Sequence, residues 1–154
     1  MFFFAKIIIT MEVDMNNITI VGMDNDFIKM FAQKLAEEIG YKYVDANEQF
    51  DKDLLANLDY PMYLVDEILV QKENLLINNL VKKEKVIISM SDDMFLSNEH
   101  YKILENSLTI LILDEKLGKI KKNIQNLIKK HVKFAFAKND IKTEDVIKII
   151  RGLL

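Results

Sequence analysis

Residues 17–45, NITIVGMDNDFIKMFAQKLAEEIGYKYVD, constrain this chain more than any other stretch. Ile18 to Val21 form a short run rich in β-branched residues that ends at Gly22, as expected for a strand buried on both faces of a parallel sheet. From Asp26 the apolar positions recur at helical steps, through Phe27, Phe31, Leu35 and Ile39. Gly40 then supplies a C-terminal stop. A second strand over residues 41–44 leads to Asp45. Strand, turn, helix and strand make a frame in which proteins hold phosphate, at the turn where the helix begins. Here that turn carries Asp24 and Asp26, where a phosphate needs glycines and a lysine.

The rest of the chain continues the alternation. Residues 46–58 read as a short helix, and Pro61, the only proline, opens a longer one through residue 81. A third strand covers residues 86–89, followed by a loop over 90–95. Ser97 looks like the N-cap of a helix to about residue 106. Residues 108–113 form a fourth strand. Residues 115–131 form an amphipathic helix marked by Leu117, Ile120, Ile124 and Leu127. A fifth strand over 132–137 and a helix over 143–154 complete the pattern. It predicts an α/β fold with a doubly wound, parallel, five-stranded sheet.

The 154 residues suit one domain, expected over residues 15–154. Residues 1–14, MFFFAKIIITMEVD, read as an N-terminal extension before a natural start at Met15, or as an extra edge strand over 2–10. Their apolar run is too short to span a bilayer and lacks the marks of a signal peptide, so a cytoplasmic protein is expected. The net charge of −3 argues against a nucleic-acid binder. The absence of cysteine excludes thiolate chemistry, and His100 and His131 are too far apart in sequence to suggest a metal site. Arg151 is the only arginine, so bidentate grips on phosphate or carboxylate are almost unavailable.

Three segments resemble the shikimate kinase family, a branch of the P-loop small-molecule kinases, and together they span nearly all of residues 16–154. The first runs from Gly22 through Gly40 to Asp45 with the family's spacing. The second, VIISMSDDMFLSNEHYKILENSLTILILD over residues 86–114, matches the third strand, glycine-triplet loop, helix and fourth strand. The third, FAFAKNDIKTEDVIKII, matches the last strand and helix. The resemblance implies a P-loop kinase fold and places the family's functional positions, where this chain departs from the pattern. Of the G-x-x-x-x-G-K-[ST] loop only Gly22 remains, with Phe27 at the second glycine, Ile28 at the lysine and Lys29 at the hydroxyl position. Asp24 and Asp26 would repel a triphosphate. The aspartate pair that holds Mg²⁺ and the substrate hydroxyl corresponds to Asp45 and Asn47, and the glycine triplet to Ser91, Asp92 and Asp93. The shikimate-gripping arginine belongs near Leu69 and Val70, in a helix that has none, while Glu73 matches a family glutamate. Between residues 114 and 132 there is room for one helix, which implies a reduced lid.

Gly22, Asp24, Asp26 and Lys29 are therefore expected to form a vestigial phosphate loop. Asp45, Asn47, Glu73, Ser91, Asp92 and Asp93 are expected to form a vestigial substrate site, with no catalytic residue, metal or cofactor. The expected function is that of a catalytically degenerate, non-enzymatic interaction or regulatory domain with an unknown protein partner and no ATP binding. The alternative is an active shikimate kinase, or a related ATP-dependent small-molecule kinase, with rearranged phosphate contacts. Lys29 or an arginine from an oligomeric neighbour would then grip the phosphate. Two smaller readings concern the strand ends. Asp24, Asp26, Asp45, Asp92, Asp93 and Asp114 could form a carboxylate crescent for a hard cation, or be solvated turn residues. A receiver-like switch would share that chemistry, but no Lys-Pro pair follows the last strand. The helix over 115–131 carries Lys116, Lys119, Lys121, Lys122, Lys129 and Lys130 opposite its apolar stripe, which suits a membrane surface, an acidic partner or plain solvent.

Overall fold

The computed structural model describes residues 17–56, 66–91, 105, 107–132, 134–140 and 142–153, with side chains left aside for 53–70 and 153. The expected extension over 1–14, the helix start at Pro61, Asp92, Asp93, the Ser97 cap and His100 lie outside the described residues. In chain order the elements are β1 (Asn17–Gly22), α1 (Asn25–Ile39), β2 (Lys42–Asp45), α2 (Ala46–Ala56), α3 (Asp66–Val81), β3 (Val86–Ser91), β4 (Leu108–Leu113), α4 (Lys119–His131), β5 (Phe134–Ala137) and α5 (Thr143–Leu153). The strands form one parallel sheet in the order β2-β3-β1-β4-β5. The fold is thus the expected α/β, doubly wound one, with a single helix between β4 and β5 where a lid was expected to be reduced.

Strand alternation sorts the side chains into two cores. Ile18, Ile20, Ile87, Ile110, Ile112 and Phe134 meet α1 and α5 through Ile28, Phe31, Leu35, Val146 and Ile150. Val21, Ile88, Met90 and Leu111 face α2, α3 and α4 on the other side, through Ala46, Ile77, Leu80 and Ile128. β1 and β3 are buried along their whole lengths, which is why they read as continuous apolar runs. Gly40 ends α1 in the left-handed region at φ 77°, and its N–H and that of Tyr41 both donate to Ala36 O. At the opposite end of β1, Asn17 is buried and donates through Nδ2 to Val81 O and, at 3.3 Å, to Lys83 O, tying the close of α3 to the sheet.

Two of the boundaries that differ from the sequence reading have a hydrogen bond as their cause. The expected strand 86–89 continues to Ser91, because Asn47 Oδ1 accepts from Ser91 N at 3.0 Å and holds the chain extended. The helix expected from residue 115 begins at Lys119, because Asp114 Oδ1 accepts from Lys116 N at 3.0 Å and turns the chain first.

Glu73 lies on α3 one turn before Ile77 and is only 5% exposed. Burial pushes its carboxyl from 4.5 up to about 7. Between those values the folded chain keeps a proton that the unfolded chain releases. Stability therefore falls as pH rises through this window, and the full cost is present above it. Glu73→Gln is expected to be more stable than the parent by about 1–3 kcal/mol near pH 8 and to lose that advantage near pH 4. Urea unfolding at both values measures it, and an equal offset at both would show that another group titrates.

Candidate functional site

The carboxyl ends of parallel strands form the rim where α/β sheets bind ligands, at the point where neighbouring strands send their helices to opposite faces. Here β1 and β4 are those neighbours: α1 covers one face and α4 the other. The rim residues are Gly22 closing β1 with Met23 and Asp24 after it, Asp45 closing β2, Ser91 closing β3, Asp114 after β4 and Lys138 after β5.

Only Met23 and Asp24 separate β1 from α1, which starts at Asn25. Phe27, Ile28 and Lys29, the positions matched in sequence to G-K-[ST], are therefore wound into the helix instead of leading into it. Ile28 is fully buried, and its Cγ2 lies 2.5 Å from where a Cβ on Gly22 would sit. Gly22 is thus required by the helix side chain packed on it. Asp24 caps α1: its Oδ1 accepts from Phe27 N at 3.1 Å, while Ile28 N donates to Asp24 O at 3.0 Å.

Two lysines bridge the rim. Lys138 is fixed by its N–H donating to Leu113 O at 2.8 Å, and its Nζ crosses β4 to reach Asp24 Oδ2 at 2.5 Å and Asp114 Oδ2 at 3.9 Å. It also lies 5.6 Å from the centre of the Phe27 ring, which stacks on Phe31 with centroids 6.3 Å apart. The hydrogen bond from Lys138, followed by that from Phe27 N, holds the Asp24 carboxyl below its usual range, and the same bond to Asp24 raises Lys138. From α1, Lys29 Nζ reaches past β3 to Asp45 Oδ2 at 3.0 Å, and this hydrogen bond raises its pKa. Asp45 is buried, and its Oδ1 accepts from Glu48 N at 3.2 Å, capping α2.

Beside this pair, the Tyr43 hydroxyl lies 2.7 Å from Ser89 Oγ, and burial pushes its pKa up. Asn47 closes on Ser91 through both atoms of its amide: Nδ2 donates to Ser91 Oγ at 2.6 Å while Oδ1 accepts from Ser91 N. The structure thus brings Gly22, Asp24, Lys29, Asp45, Asn47 and Ser91 to one rim. Asp26 is exposed on the first turn of α1, and Glu73 is buried within α3. The side chains at Leu69 and Val70 lie outside the described residues.

Of the carboxylate crescent, Asp92 and Asp93 lie outside the described residues and Asp26 is exposed on α1. Asp24, Asp45 and Asp114 each face a lysine, and no group of three or more acidic or histidine side chains suited to a metal ion occurs among the described residues. Lys29, weighed as a phosphate grip, is turned to Asp45. The residue that sequence reasoning missed is Lys138. Its signal was its place immediately after the fifth strand, a basic residue where Asp24, Asp45 and Asp114 mark the ends of other strands.

Gly22→Ala forces the new Cβ against the stiff, branched Ile28 and is expected to cost about 1–3 kcal/mol. Ile28→Ala should cost about 2–5 kcal/mol by leaving a cavity. The double variant is expected to lose less than the sum of the two, as denaturant unfolding of the set measures; strict additivity would contradict the contact. Lys138→Met is expected to lower the melting temperature near neutral pH. The contribution from Asp24 is present above 3.8 and lost as pH falls through its lowered folded value, so the deficit should narrow in acid. A deficit that does not change with pH would remove Asp24 as its cause.

No protein-family profile and no curated protein matches this chain. Among solved structures, the shikimate kinase of Acinetobacter baumannii superposes with a TM-score of 0.66 over 97% of this chain and 96% of its own, at 14% identity. That of Aquifex aeolicus gives a TM-score of 0.65 over 88% and 94% of the two chains, at 15% identity. A gluconokinase from Sinorhizobium meliloti gives 0.50 over 90% and 91%, at 12% identity. The chain has the fold of shikimate kinases and related small-molecule P-loop kinases.

Proposed function

We propose that this chain is a shikimate-kinase-like fold that does not transfer phosphate and serves as a non-enzymatic interaction or regulatory domain. One observation carries the reading: the places for an anion and a cation are filled by the chain's own side chains. The Asp24 carboxylate takes the partners a phosphate would use, a donor at the start of α1 and a lysine. The Lys29 ammonium lies on Asp45, the carboxylate to which the resemblance assigns Mg²⁺. The Asn47 amide and Ser91 occupy each other at the substrate corner.

These residues do not fit a Mg²⁺-nucleotide. A two-residue turn offers no cradle of N–H groups, and Ile28 fills the space against Gly22. An entering triphosphate would have to part Lys138 from Asp24 and then lie against that carboxylate, with like charges meeting in a partly desolvated crevice. With one helix between β4 and β5, nothing there adds a separate cover to exclude water from a transferring phosphoryl group.

Thermal unfolding with millimolar Mg²⁺-ATP, alone and with shikimate, tests the reading. A ligand at a hundred times its dissociation constant adds about 2.7 kcal/mol, several degrees for a domain of this size. The expected result is no shift under either condition. A rise of several degrees with nucleotide would overturn the proposal and make phosphate transfer to shikimate the next assay.

A further inference from the structure

We infer that the outer face of α4 is a docking surface for an anionic lipid bilayer. The helix KIKKNIQNLIKKH carries five lysines and no acidic residue, in a chain of net charge −3. Ile124, Gln125 and Ile128 turn inward, and the last two are buried. The exposed half of the helix places Lys119 and Lys130 beside two apolar side chains one heptad apart, Ile120 at 77% exposure and Leu127 at 42%, with Lys122 and Lys129 on its other flank. None of those four lysines is within ion-pair distance of a carboxylate among the described residues.

The chemistry selects the occupant. Lys119 and Lys130 along one side of the exposed Ile120 and Leu127 match a headgroup region, where phosphates neutralise the ammonium groups and the upper acyl chains take the aliphatic pair. The lysine stems lie along apolar surface while their ends stay in the aqueous layer. A nucleic acid would use the lysines and leave Ile120 without a role. A peptide docks into a groove, whereas an outermost helix presents a convex ridge, which fits a deformable plane. The inference holds whether or not the fold transfers phosphate, because the rim pairs take no part in it.

Sedimentation of the full chain with vesicles tests it, comparing phosphatidylcholine alone with phosphatidylcholine containing phosphatidylserine, at low and high salt. Binding should be at least about five-fold greater on the anionic vesicles at low salt and fall steeply with added salt. The variant K119Q/K122Q/K129Q/K130Q keeps good helix formers on an exposed face and is expected to bind no better than to neutral vesicles. The variant I120S/L127S should lose binding several-fold at unchanged charge, and circular dichroism melts check that both variants fold. No preference for anionic vesicles would overturn the inference. Full binding by I120S/L127S would also overturn it, leaving plain adsorption of charge. Equal capture of the parent chain by immobilised polyglutamate, with the same loss in I120S/L127S, would overturn it in favour of an acidic protein partner.

Discussion

The contact between Ile28 and Gly22 decides how close the first helix comes to the sheet. A glycine at the end of β1 lets a branched side chain lie directly on the backbone, and α1 can then begin two residues after the strand. The start of the helix brings unsatisfied N–H groups to the centre of the rim, where an anion is favoured. With no wider loop to receive an external anion, the nearest available one is the Asp24 carboxylate, and it caps the helix. The glycine that a phosphate-binding turn would need for backbone access is used here for packing.

The rim then follows from charge neutralisation. Carboxylates gathered at strand ends repel one another in a medium less polar than water. Lys138 meets two of them and Lys29 a third, each reaching across a strand to do so. Each pair is partly exposed, so its net contribution to stability is modest. Its larger effect is positional: the polar atoms that an incoming ligand would recruit already have partners within the chain.

The sheet was legible because its central strands are buried on both faces. Residues 108–113 and the Gly40 stop read correctly from apolar runs and one glycine. The departures at Phe27 and Ile28 and the absence of arginine from the relevant helix are plain in the sequence. The contacts across the rim are not. Asp24 and Lys138 are 114 positions apart, and they meet only because β5 lies beside β4 and β4 beside β1. Lys29 reaches Asp45 only because β3 inserts between β1 and β2. Strand order is a tertiary property, and no local pattern of hydrophobicity encodes it. The double hydrogen bond between Asn47 and Ser91 belongs to the same class.

The strand order also gives the rim pairs a mechanical role. Among the described residues β2 and β5 are the outermost strands of the sheet, each with one neighbouring strand. Asp45 closes β2 and Lys138 follows β5, so each ion pair fastens an edge strand to the interior at its carboxyl end. Protonation of Asp24, which the Lys138 hydrogen bond delays to below the usual carboxylate range, loosens the fastening at β5. The charges at the rim thereby act as clasps that tie the outermost described strands to the interior of the sheet.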